Sequence, residues 1–572
     1  MTTGSTSLEV EWQFDAPDLD AVERWLRAQP AYAAVAFDDR GEKTQRDTYL
    51  DSADWRVFHA GYSLRVRTKD DASEVTLKGR TRSADGPARR QEFTERGEIE
   101  SLATSDGPVG HRLRLILRET PLRPLFTVTT RRHTWAVRSA SSELAEIALD
   151  DTAVDVDGAS STLQRVEVEE VEPGGLATAD ALVRALQTAC ALTPAASSKF
   201  EAGLLAAGLH PTPPDLGPLE VTPDDGAVDR AYAVLRRRFG ELLVNEGGTA
   251  LGEDAEALHQ MRVSTRRLRA ALRVFDGAVP PALLAARDEL RWFAQALGAV
   301  RDLDVQLARL ATLQQASAWD DANALAPLVR QFERERAEAR AALMEAFNSN
   351  RYARLVESMR QQLVEGPVLD TLHEPSREAG RRIIGQRYRR FRRAARLLRK
   401  RSPHAEYHAL RIRGKRLRYS LEFFVDLYGR EGSLALASLR ALQDLLGELQ
   451  DLATTDERLR RLVGTHAAEL PPETLVMVGQ LIEQHRTRST EIVDNFPRTL
   501  RPVLLRIDRL RRSPGWRHVI PPIEEPAEAE PEAIAPGPAA EVARTRRPAP
   551  PATYQSQSLA QALARIFWRN RP

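Results

Sequence analysis

Three short segments in the first third of the chain alternate charged and apolar residues with a period of two. The charged pairs are Glu9 and Glu11, Arg65 and Arg67, and Glu167 and Glu169. Because successive side chains of a β-strand point to opposite faces, the members of each pair must share a face. One solvent-exposed sheet face would explain any single pair. Together, carboxylate and arginine strands are expected to line the polar interior of a barrel, where carboxylates suit a hard cation and guanidinium groups suit phosphate oxygens.

A second pattern lies in the helical middle of the chain. The predicted helix 258–275 packs through an apolar row, and beside it runs a basic row made of His259, Arg262, Arg266, Arg269 and Arg273. A shift of 149 residues places the first four of these on His408, Arg411, Lys415 and Arg418. Like charges four residues apart on a helix repel each other by a few tenths of a kcal/mol. A solvated face is the simplest alternative, and each histidine alone could be an ordinary boundary residue, but duplicated rows without matching acids suggest that an anion completes the structure.

These patterns belong to different parts of the chain. Residues 8–170 combine short strands with turns, and about 225–512 show long amphipathic helices with an internal repeat. We therefore predict a multi-domain protein, with an N-terminal α+β antiparallel barrel followed by all-α duplicated four-helix bundles. The predicted boundaries are a barrel domain at 1–209, a proline-rich linker at 210–223, a helical domain at 224–515, a disordered Pro/Ala/Glu stretch at 519–552 and a short C-terminal segment at 553–572.

Composition narrows the class of protein. The chain has 572 residues and one cysteine, Cys190, which excludes an internal disulfide framework and favours a reducing compartment. We find no signal peptide and no run of about 18 apolar residues that would span a membrane. The net charge of +1 conceals an acidic first part and a basic middle. The sequence thus predicts a cytoplasmic protein that binds cations in one part and anions in another.

The first part resembles the CYTH family, the triphosphate tunnel metalloenzymes. The family's opening Glu-x-Glu-x-Lys strand matches Glu9 to Gln13, and its later motifs follow in order. The matching segments are Tyr49–Asp51, Gly61–Arg67, Thr76–Lys78, Arg90–Glu92, Arg131–Arg132, Glu146 with Asp150, Glu167–Glu169 and Ser198–Lys199. The resemblance implies an eight-stranded antiparallel tunnel that binds a triphosphate with Mg²⁺ or Mn²⁺.

The same resemblance implies roles for individual residues. The expected metal ligands are Glu9, Glu11, Glu167 and Glu169. The expected phosphate ligands are Arg65, Arg67, Lys78, Arg131 or Arg132, and Lys199. Catalysis is expected to depend on Glu9, Glu11 and Lys78. One residue departs from the motif: Gln13 stands where the family has a lysine aimed at phosphate. The loss of that charge would cost on the order of 1–3 kcal/mol of transition-state binding, so hydrolysis could be slowed, redirected or lost.

The second part resembles the CHAD domain, a duplicated four-helix bundle. Its motif His-x-x-Arg-x-x-x-[Arg/Lys]-Arg-Leu-Arg occurs twice, at 259–269 and 408–418. The segments 297–302 and 446–451 also fit. The resemblance implies binding of inorganic polyphosphate in a basic groove between the bundles, which would depend strongly on salt. Association with polyphosphate granules in the cytoplasm is a further expectation.

Three functions remain open from the sequence. The first is a triphosphatase whose helical part concentrates substrate. The second is a non-catalytic polyphosphate-binding protein with a degenerate first module, as Gln13 allows. The third is nucleic-acid binding, which the absence of aromatic residues between the basic positions disfavours. No membrane association is expected, and the sequence leaves the oligomeric state open.

Overall fold

A computed structural model describes residues 4–517 with short gaps. The gaps are 29–30, 33–34, 70–71, 81–86, 103–104, 140–141, 157–158, 172–175, 317–323, 368–373, 467 and 469. The predicted disordered stretch 519–552 and the C-terminal segment 553–572 lie outside the described residues.

Within the described residues, the first part of the chain contains ten strands. They are β1 (Gly4–Asp15), β2 (Ala31–Tyr32), β3 (Val35–Ser52), β4 (Tyr62–Lys69), β5 (Ala72–Gly79), β6 (Ala88–Arg96), β7 (Leu122–Arg138), β8 (Glu143–Val156), β9 (Ala159–Glu170) and β10 (Thr193–Pro194). Eight of them follow one another in the order β1-β6-β5-β4-β3-β7-β8-β9, and β9 pairs again with β1. All these pairings are antiparallel. The sheet is thus a closed eight-stranded antiparallel barrel, as predicted.

The inner face of the barrel is polar because charged residues recur at every second position of its strands. Glu11 lies opposite Glu169, Gln13 opposite Glu167, and Glu9 opposite Arg90. The intervening apolar residues, such as Val10 and Trp12, are buried on the outer face. The period-two pattern therefore gives the barrel a polar inner face and an apolar outer face, and the hydrophobic cores lie outside the tunnel.

Six helices of the described ranges cover the barrel. They are α1 (Leu19–Ala28), α2 (Arg56–His59), α3 (Ile99–Leu102), α4 (Pro108–Leu117), α5 (Leu176–Cys190) and α6 (Lys199–Ala206). Helices α1 and α5 belong to a core that contains Val22, Leu186 and Ile147, and α4 belongs to a second core with Leu64 and Phe93. Burial of these side chains on the outer face holds the strands in register, which fixes the polar residues inside.

The helical part begins after residues 207–226, which contain neither helix nor strand. Its helices are α7 (Ala227–Val244), α8 (Glu246–Leu251), α9 (Ala255–Val274), α10 (Pro281–Ala316), α11 (Ala326–Phe347), α12 (Asn350–Glu365), α13 (Ser376–Leu397), α14 (His404–Glu422), α15 (Gly429–His466), α16 (Pro472–Leu510) and α17 (Pro514–Arg517), with a 3₁₀ turn at Val425–Tyr428. No helix in the described ranges is long and apolar enough to cross a membrane.

The internal repeat is visible in the structure. A shift of 149 residues carries the start of α7 onto the start of α13 and the start of α9 onto the start of α14. Two pairs of residues related by this shift touch each other. The rings of Phe275 and Phe424 have centroids 5.4 Å apart, and Gln306 Nε2 donates to Thr455 Oγ1 at 2.9 Å. Contacts between equivalent residues indicate an approximate twofold axis between the two copies, so the duplication predicted from the sequence is confirmed.

The two copies differ in the fourth helix. In the first copy it is interrupted between α11 and α12, after Phe347. The equivalent position of the second copy is Phe496, followed at once by Pro497 inside the continuous helix α16. Proline cannot donate a backbone hydrogen bond and usually kinks a helix. The same place in the repeat is therefore a break in one copy and a proline position in the other.

Ion pairs join the barrel to the first bundle. Glu246 of α8 is buried and accepts from Arg56 Nη1 at 3.2 Å, and Arg118 Nη1 lies 3.8 Å from it. Glu253 accepts from Arg112 Nη2 at 2.7 Å and from the hydroxyl of Tyr62. The α2 and α4 end of the barrel is thus bound to α8 and the loop after it through charged groups on both sides.

Candidate active site and basic helices

The barrel encloses a cavity of about 240 Å³ lined by residues from both ends of the chain's first part. The sequence-predicted residues on its wall are Glu9, Glu167, Glu169, Arg65, Arg67, Lys78, Arg132 and Lys199. Glu11 lies on the same inner face, buried behind Lys78. One cavity therefore brings together nine of the ten positions that the sequence assigned to the tunnel.

The acidic wall consists of the neighbouring strands β1 and β9. Burial, followed by the negative charges of Glu9 and Glu11, raises the pKa of the Glu169 carboxyl to about 7. The pKa of Glu11 is also raised, again first by burial. Among the described residues, no cationic side chain forms an ion pair with Glu169. The carboxylates of this wall are therefore not fully neutralised by neighbouring cations, and the least neutralised one is Glu169.

Lys78 of β5 faces the acidic wall across the tunnel. Its Nζ lies 2.6 Å from Glu9 Oε2 and 3.1 Å from Glu11 Oε1. Burial by itself would lower the pKa of the ammonium group, but the charges of Glu11 and Glu9 together outweigh it and raise the pKa above its usual value. Arg90 of β6 also donates to Glu11 Oε1. Lys78 therefore stays charged inside the barrel and contacts two of the proposed metal ligands.

A second ion-pair cluster surrounds Asp150, which is fully buried on β8. Arg132 donates to both of its carboxylate oxygens at 2.7 Å and to Glu167 Oε2 at 2.5 Å. Lys199 also donates to Asp150, and to Glu167 Oε1 at 2.9 Å. The lysine and arginine hold the pKa of Glu167 well below its usual range in spite of burial. Asp150 thus positions two cations that point into the cavity.

Lys199 reaches the cavity because helix α6 packs closely against strand β7. Ser198 and Glu201 form a capping box, in which Ser198 Oγ accepts from the amide of Glu201 at 3.2 Å. Gly203 of the same helix packs on Phe126 so closely that an added Cβ would lie 2.0 Å from its ring. The glycine permits this approach, and the capped first turn then places Lys199 in the tunnel.

The third group of cations lies on β4. Arg67 donates to Asp47 through Nε at 2.6 Å and Nη2 at 2.8 Å, a bidentate pair. Arg65 Nη1 lies 3.5 Å from the same carboxylate and Nη2 lies 3.8 Å from Glu92. The pairing holds the pKa of Asp47 below its usual range although burial acts in the opposite direction. Both arginines are fixed with their remaining donors toward the cavity.

Arg131 is placed differently from the sequence-based expectation. Its side chain is 59% exposed and donates to Asp151 at 2.9 Å on the outer surface. Arg132, the next residue on β7, pairs inside the barrel. Since neighbouring strand residues point to opposite faces, only one of the two can enter the tunnel. Of the two basic residues, Arg132 is the tunnel residue, and the inclusion of Arg131 was wrong.

Gln13 lies between two of the carboxylates. Its Nε2 donates to Glu11 Oε1 at 3.1 Å and to Glu167 Oε1 at 3.2 Å. The amide therefore bridges β1 and β9 on the acidic wall. A lysine at this position would add a positive charge to the same place, whereas the glutamine supplies only a dipole.

The donor chemistry of the acidic wall fits a divalent cation such as Mg²⁺ or Mn²⁺, which prefers carboxylate oxygens. Glu9, Glu11, Glu167 and Glu169 all lie on one inner wall. Within the described residues, however, no three acidic, imidazole or thiolate groups converge as a preformed metal cluster. The carboxylates are instead turned toward Lys78, Gln13, Arg132 and Lys199. Their oxygens would exchange these partners for the ion.

The sequence reading assigned no role to several residues that build this site. Arg90 and Asp150 occur in the matching motifs, but only the structure shows their buried ion pairs. Asp47 precedes the Tyr49–Asp51 motif by two residues on β3, and so has the tunnel-facing register of Tyr49. The period-two rule applied outward from Tyr49 would have found it.

The second group of predicted residues lies on α9 and α14. Burial, followed by the positive charges of Arg411, Arg266, Arg262 and Arg418, lowers the pKa of Lys415 to about 7. Residues from both copies of the repeat therefore face one another. Arg262 Nη2 lies 3.4 Å from Asp302, an exposed partner. The centre of the two bundles is thus a cluster in which the cations outnumber the nearby carboxylates of Asp302, Asp451 and Glu422.

The two histidines are placed at the edge of this cluster. His408 Nδ1 bonds to Gln450 Oε1, and Arg301, the residue equivalent to Gln450, lies near His259. Burial lowers the pKa of His259, and Arg301 contributes to that effect. A neutral imidazole can still donate one hydrogen bond to an anion. The basic rows of α9 and α14 therefore lie close together, and Arg269 continues the row on α9 toward Arg273.

Comparison with known proteins agrees with this architecture. A family model of the CYTH domain matches residues 22–200, and one of the CHAD domain matches residues 233–460. An uncharacterised protein of Mycobacterium tuberculosis is 28% identical over 492 residues, which are 77% of this chain and 88% of that protein.

Solved structures resemble the two halves separately. The CHAD domain of the plant Ricinus communis is 32% identical, with a TM-score of 0.43 over 51% of this chain and 96% of that one. A putative adenylyl cyclase from Hippeastrum, described as having a dominant triphosphatase activity, is 16% identical, with a TM-score of 0.27 over 35% of this chain and 97% of that one. From the two domain matches and their order, the chain belongs to the proteins that carry a CYTH domain followed by a CHAD domain.

Proposed function

We propose that the barrel is a metal-dependent hydrolase of inorganic triphosphate and related phosphoanhydrides, and that the helical part binds polyphosphate. CYTH domains are metal-dependent triphosphate tunnel enzymes. The observation that carries the proposal is the single barrel cavity in which an acidic wall faces clustered arginine and lysine side chains.

The cations of the tunnel would hold the phosphates. Arg65, Arg67, Lys78, Arg132 and Lys199 each have a carboxylate partner in the structure. An entering phosphate replaces part of these contacts, so the pairs keep the cations oriented until substrate binds. Fixed donors of this kind stabilise charge that develops in the transition state.

The acidic wall would hold the metal through Glu9, Glu11, Glu167 and Glu169. A bound divalent cation neutralises phosphate charge and lowers the pKa of a water molecule. Glu169 forms no ion pair with a cation among the described residues, so it is the carboxylate that would give up the fewest contacts on binding the ion. We assign no separate general base.

In the helical part, the cation cluster around Lys415 supports binding of a chain of linked phosphates. A flexible polyanion with closely spaced charges relieves repulsion among clustered cations and releases its own counterions. The eight expected ligands are His259, Arg262, Arg266, Arg269, His408, Arg411, Lys415 and Arg418. Capture of polyphosphate here would raise its concentration near the barrel.

The test is phosphate release from tripolyphosphate by the purified chain with Mg²⁺ or Mn²⁺. We expect metal-dependent release that Glu9→Gln combined with Glu11→Gln abolishes. Retention of long-chain polyphosphate is measured on the same protein, and this double variant is expected to keep it. Release that needs no metal, or release unchanged in the double variant, would overturn the assignment of the acidic wall.

Gln13 favours a second candidate function, a polyphosphate-binding protein without catalysis. In that case Gln13 replaces a catalytic charge and its amide only ties Glu11 to Glu167. Binding of long-chain polyphosphate without any phosphate release, in Mg²⁺ and in Mn²⁺, would select this alternative.

A further inference from the structure

The two copies of the repeat are not equal in charge. Beside the central cluster, Arg267 Nε lies 3.1 Å from Glu422, and Arg238 Nη1 lies 2.6 Å from Glu241. The side chain of Glu422 also accepts from Arg418 at 2.9 Å. On the side of the twofold axis that carries Arg267 and Arg238, both arginines thus have an acidic partner, and their charges are neutralised locally.

The 149-residue shift shows what occupies the equivalent positions on the other side of the twofold axis. Arg267 corresponds to Arg416 and Arg238 to Arg387. The two acids are replaced, because Glu422 corresponds to Arg273 and Glu241 to Arg390. Where one side has two arginines and two glutamates, the other side has four arginines. We call these four residues, Arg273, Arg387, Arg390 and Arg416, the arginine quartet.

The quartet is assembled in space as well as in sequence. Arg387 Nη2 donates to the backbone oxygen of Arg273 at 3.3 Å. Burial lowers the pKa of both Arg273 and Arg387, and the charge of Arg416 is the next cause for each of them. Asp276 acts on Arg387 in the opposite direction. Over the described ranges, no member of the quartet forms an ion pair with a carboxylate.

The quartet also continues from the central cluster. Arg269 and Arg273 are four residues apart on α9, which places them one helical turn apart on the same face. Burial lowers the pKa of Arg269, and Arg273 is the first neighbouring charge that adds to this effect. A row of cations therefore runs from the twofold axis through Arg269 to the α13 side. The equivalent row on the other side ends at Glu422.

We propose that the arginine quartet is a second anion site, which binds the part of a linear phosphate chain that extends beyond the central cluster on the α13 side. The inference rests on the proposed polyphosphate binding. A polyanion that crosses the axis meets four more unpaired cations on one side and two ion pairs on the other. The bound chain is therefore displaced toward α13, and the site favours long phosphate chains over short ones.

The test uses a variant in which both sides of the twofold axis carry the same charges. The double variant Arg273→Glu with Arg390→Glu gives the quartet the same charges as its counterpart at Arg267, Glu422, Arg238 and Glu241. Binding of tripolyphosphate and of long-chain polyphosphate to the full chain is measured over a salt series. Counterion release predicts that losing four free cations makes the slope of log affinity against log salt shallower by about 3 for the long chain. Tripolyphosphate affinity is expected to stay within about twofold, because it can be held by the remaining sites.

Two further variants separate the possible outcomes. Arg460→Glu with Arg486→Glu changes the net charge equally at exposed positions of α15 and α16, outside the quartet and the central cluster, and it should leave the long-chain slope unchanged. Glu241→Arg adds a free cation on the neutral side and should raise long-chain affinity, an effect that a misfolded protein would not show.

If the wild-type chain binds no polyphosphate, the proposed function fails. If it binds and the symmetric variant keeps the wild-type slope, the quartet proposal fails. Selective loss of RNA binding with polyphosphate binding intact would assign the quartet to nucleic acid instead.

Discussion

Gln13 Nε2 donates to Glu11 Oε1 at 3.1 Å, across the same inner face on which Glu167 is its second acceptor. The amide thus links two carboxylates at the position where the CYTH motif has a lysine. Gln13→Lys would add a charge beside these carboxylates and the cavity. We expect the variant to hydrolyse tripolyphosphate about tenfold faster than the wild type, equivalent to about 1.4 kcal/mol of transition-state binding. Steady-state phosphate release measures this.

Gln13→Ala is the matched control for that substitution, since it removes the amide without adding charge. If both variants lose activity equally, the bridging hydrogen bonds position the carboxylates, and the missing lysine charge is irrelevant.

Arg131 and Arg132 are adjacent on β7 but point to opposite faces of the barrel. Arg132→Gln removes a cation that contacts Asp150 and Glu167 inside the tunnel. We expect kcat/KM for tripolyphosphate to fall by about 10²-fold, the usual cost of one oriented donor at a site of developing charge. Arg131→Gln should stay within about twofold, because its partner lies on the outer surface. Equal losses in the two variants, with unchanged thermal unfolding, would contradict the assignment of the tunnel face.

Lys415 links stability to pH. Its folded-state pKa is lowered to about 7, below its usual 10.5. Below pH 7 the lysine is charged in both states, and the folded chain bears the full repulsion from its arginine neighbours. As the pH rises from about 7 toward 10.5, the folded state loses this proton before the unfolded state does, so its stability should increase. Urea unfolding of wild type and Lys415→Met across this range tests the difference, and parallel curves would exclude Lys415 as the cause.

Binding of a phosphate chain should reverse that shift. An anion next to Lys415 favours the charged form, so the complex is expected to take up at most about one proton near pH 8. Calorimetry in two buffers with different ionisation enthalpies measures the uptake. Lys415→Arg keeps the charge but cannot titrate in this range, and its complex should show no corresponding uptake. A wild-type complex with no proton uptake would place the phosphates away from Lys415.

Glu246 is the buried acid of the contact between barrel and bundle. Glu246→Ala leaves Arg56 and Arg118 without this partner, and breaking a buried pair from one side costs about 3–5 kcal/mol. We expect a lower midpoint of thermal unfolding and a separate transition for the barrel. Glu253→Ala, at the more exposed neighbouring pair, should have a smaller effect because water can replace the lost contact. Equal, small shifts would show that the contact contributes little.

The fold could be predicted from the sequence because its signals are periodic. The alternation of charged and apolar residues, as at Glu9 and Glu11, and the 149-residue repeat each depend on many residues, so one misread position does not change the predicted fold. The roles of single residues were harder to predict. The sequence could not decide between Arg131 and Arg132, because the face of β7 is set by pairing with β8. Asp150 belonged to a matching motif but had no assigned role, and only its burial against Arg132 and Lys199 shows that it positions these two cations.

The contacts between the two copies across the twofold axis could not be predicted from the sequence either. The sequence predicted two basic rows but could not show that Lys415 lies among arginines from both copies. The replacement of Glu422 by Arg273 at the equivalent position can be read from the repeat alone. Its meaning depends on the observed contacts of Arg267 with Glu422 and of Arg387 with Arg273.

The salt bridges at Glu246 and Glu253 have a kinetic consequence for a protein with both proposed activities. A polymer captured by the bundles would stay within reach of the barrel at a local concentration set by a fixed contact, and not by the random motion of a flexible tether. If the barrel hydrolyses the captured polymer, insertion of extra residues into 207–226 should change the rate of phosphate release very little, whereas loosening the contact should reduce the number of phosphates released from one molecule before it dissociates.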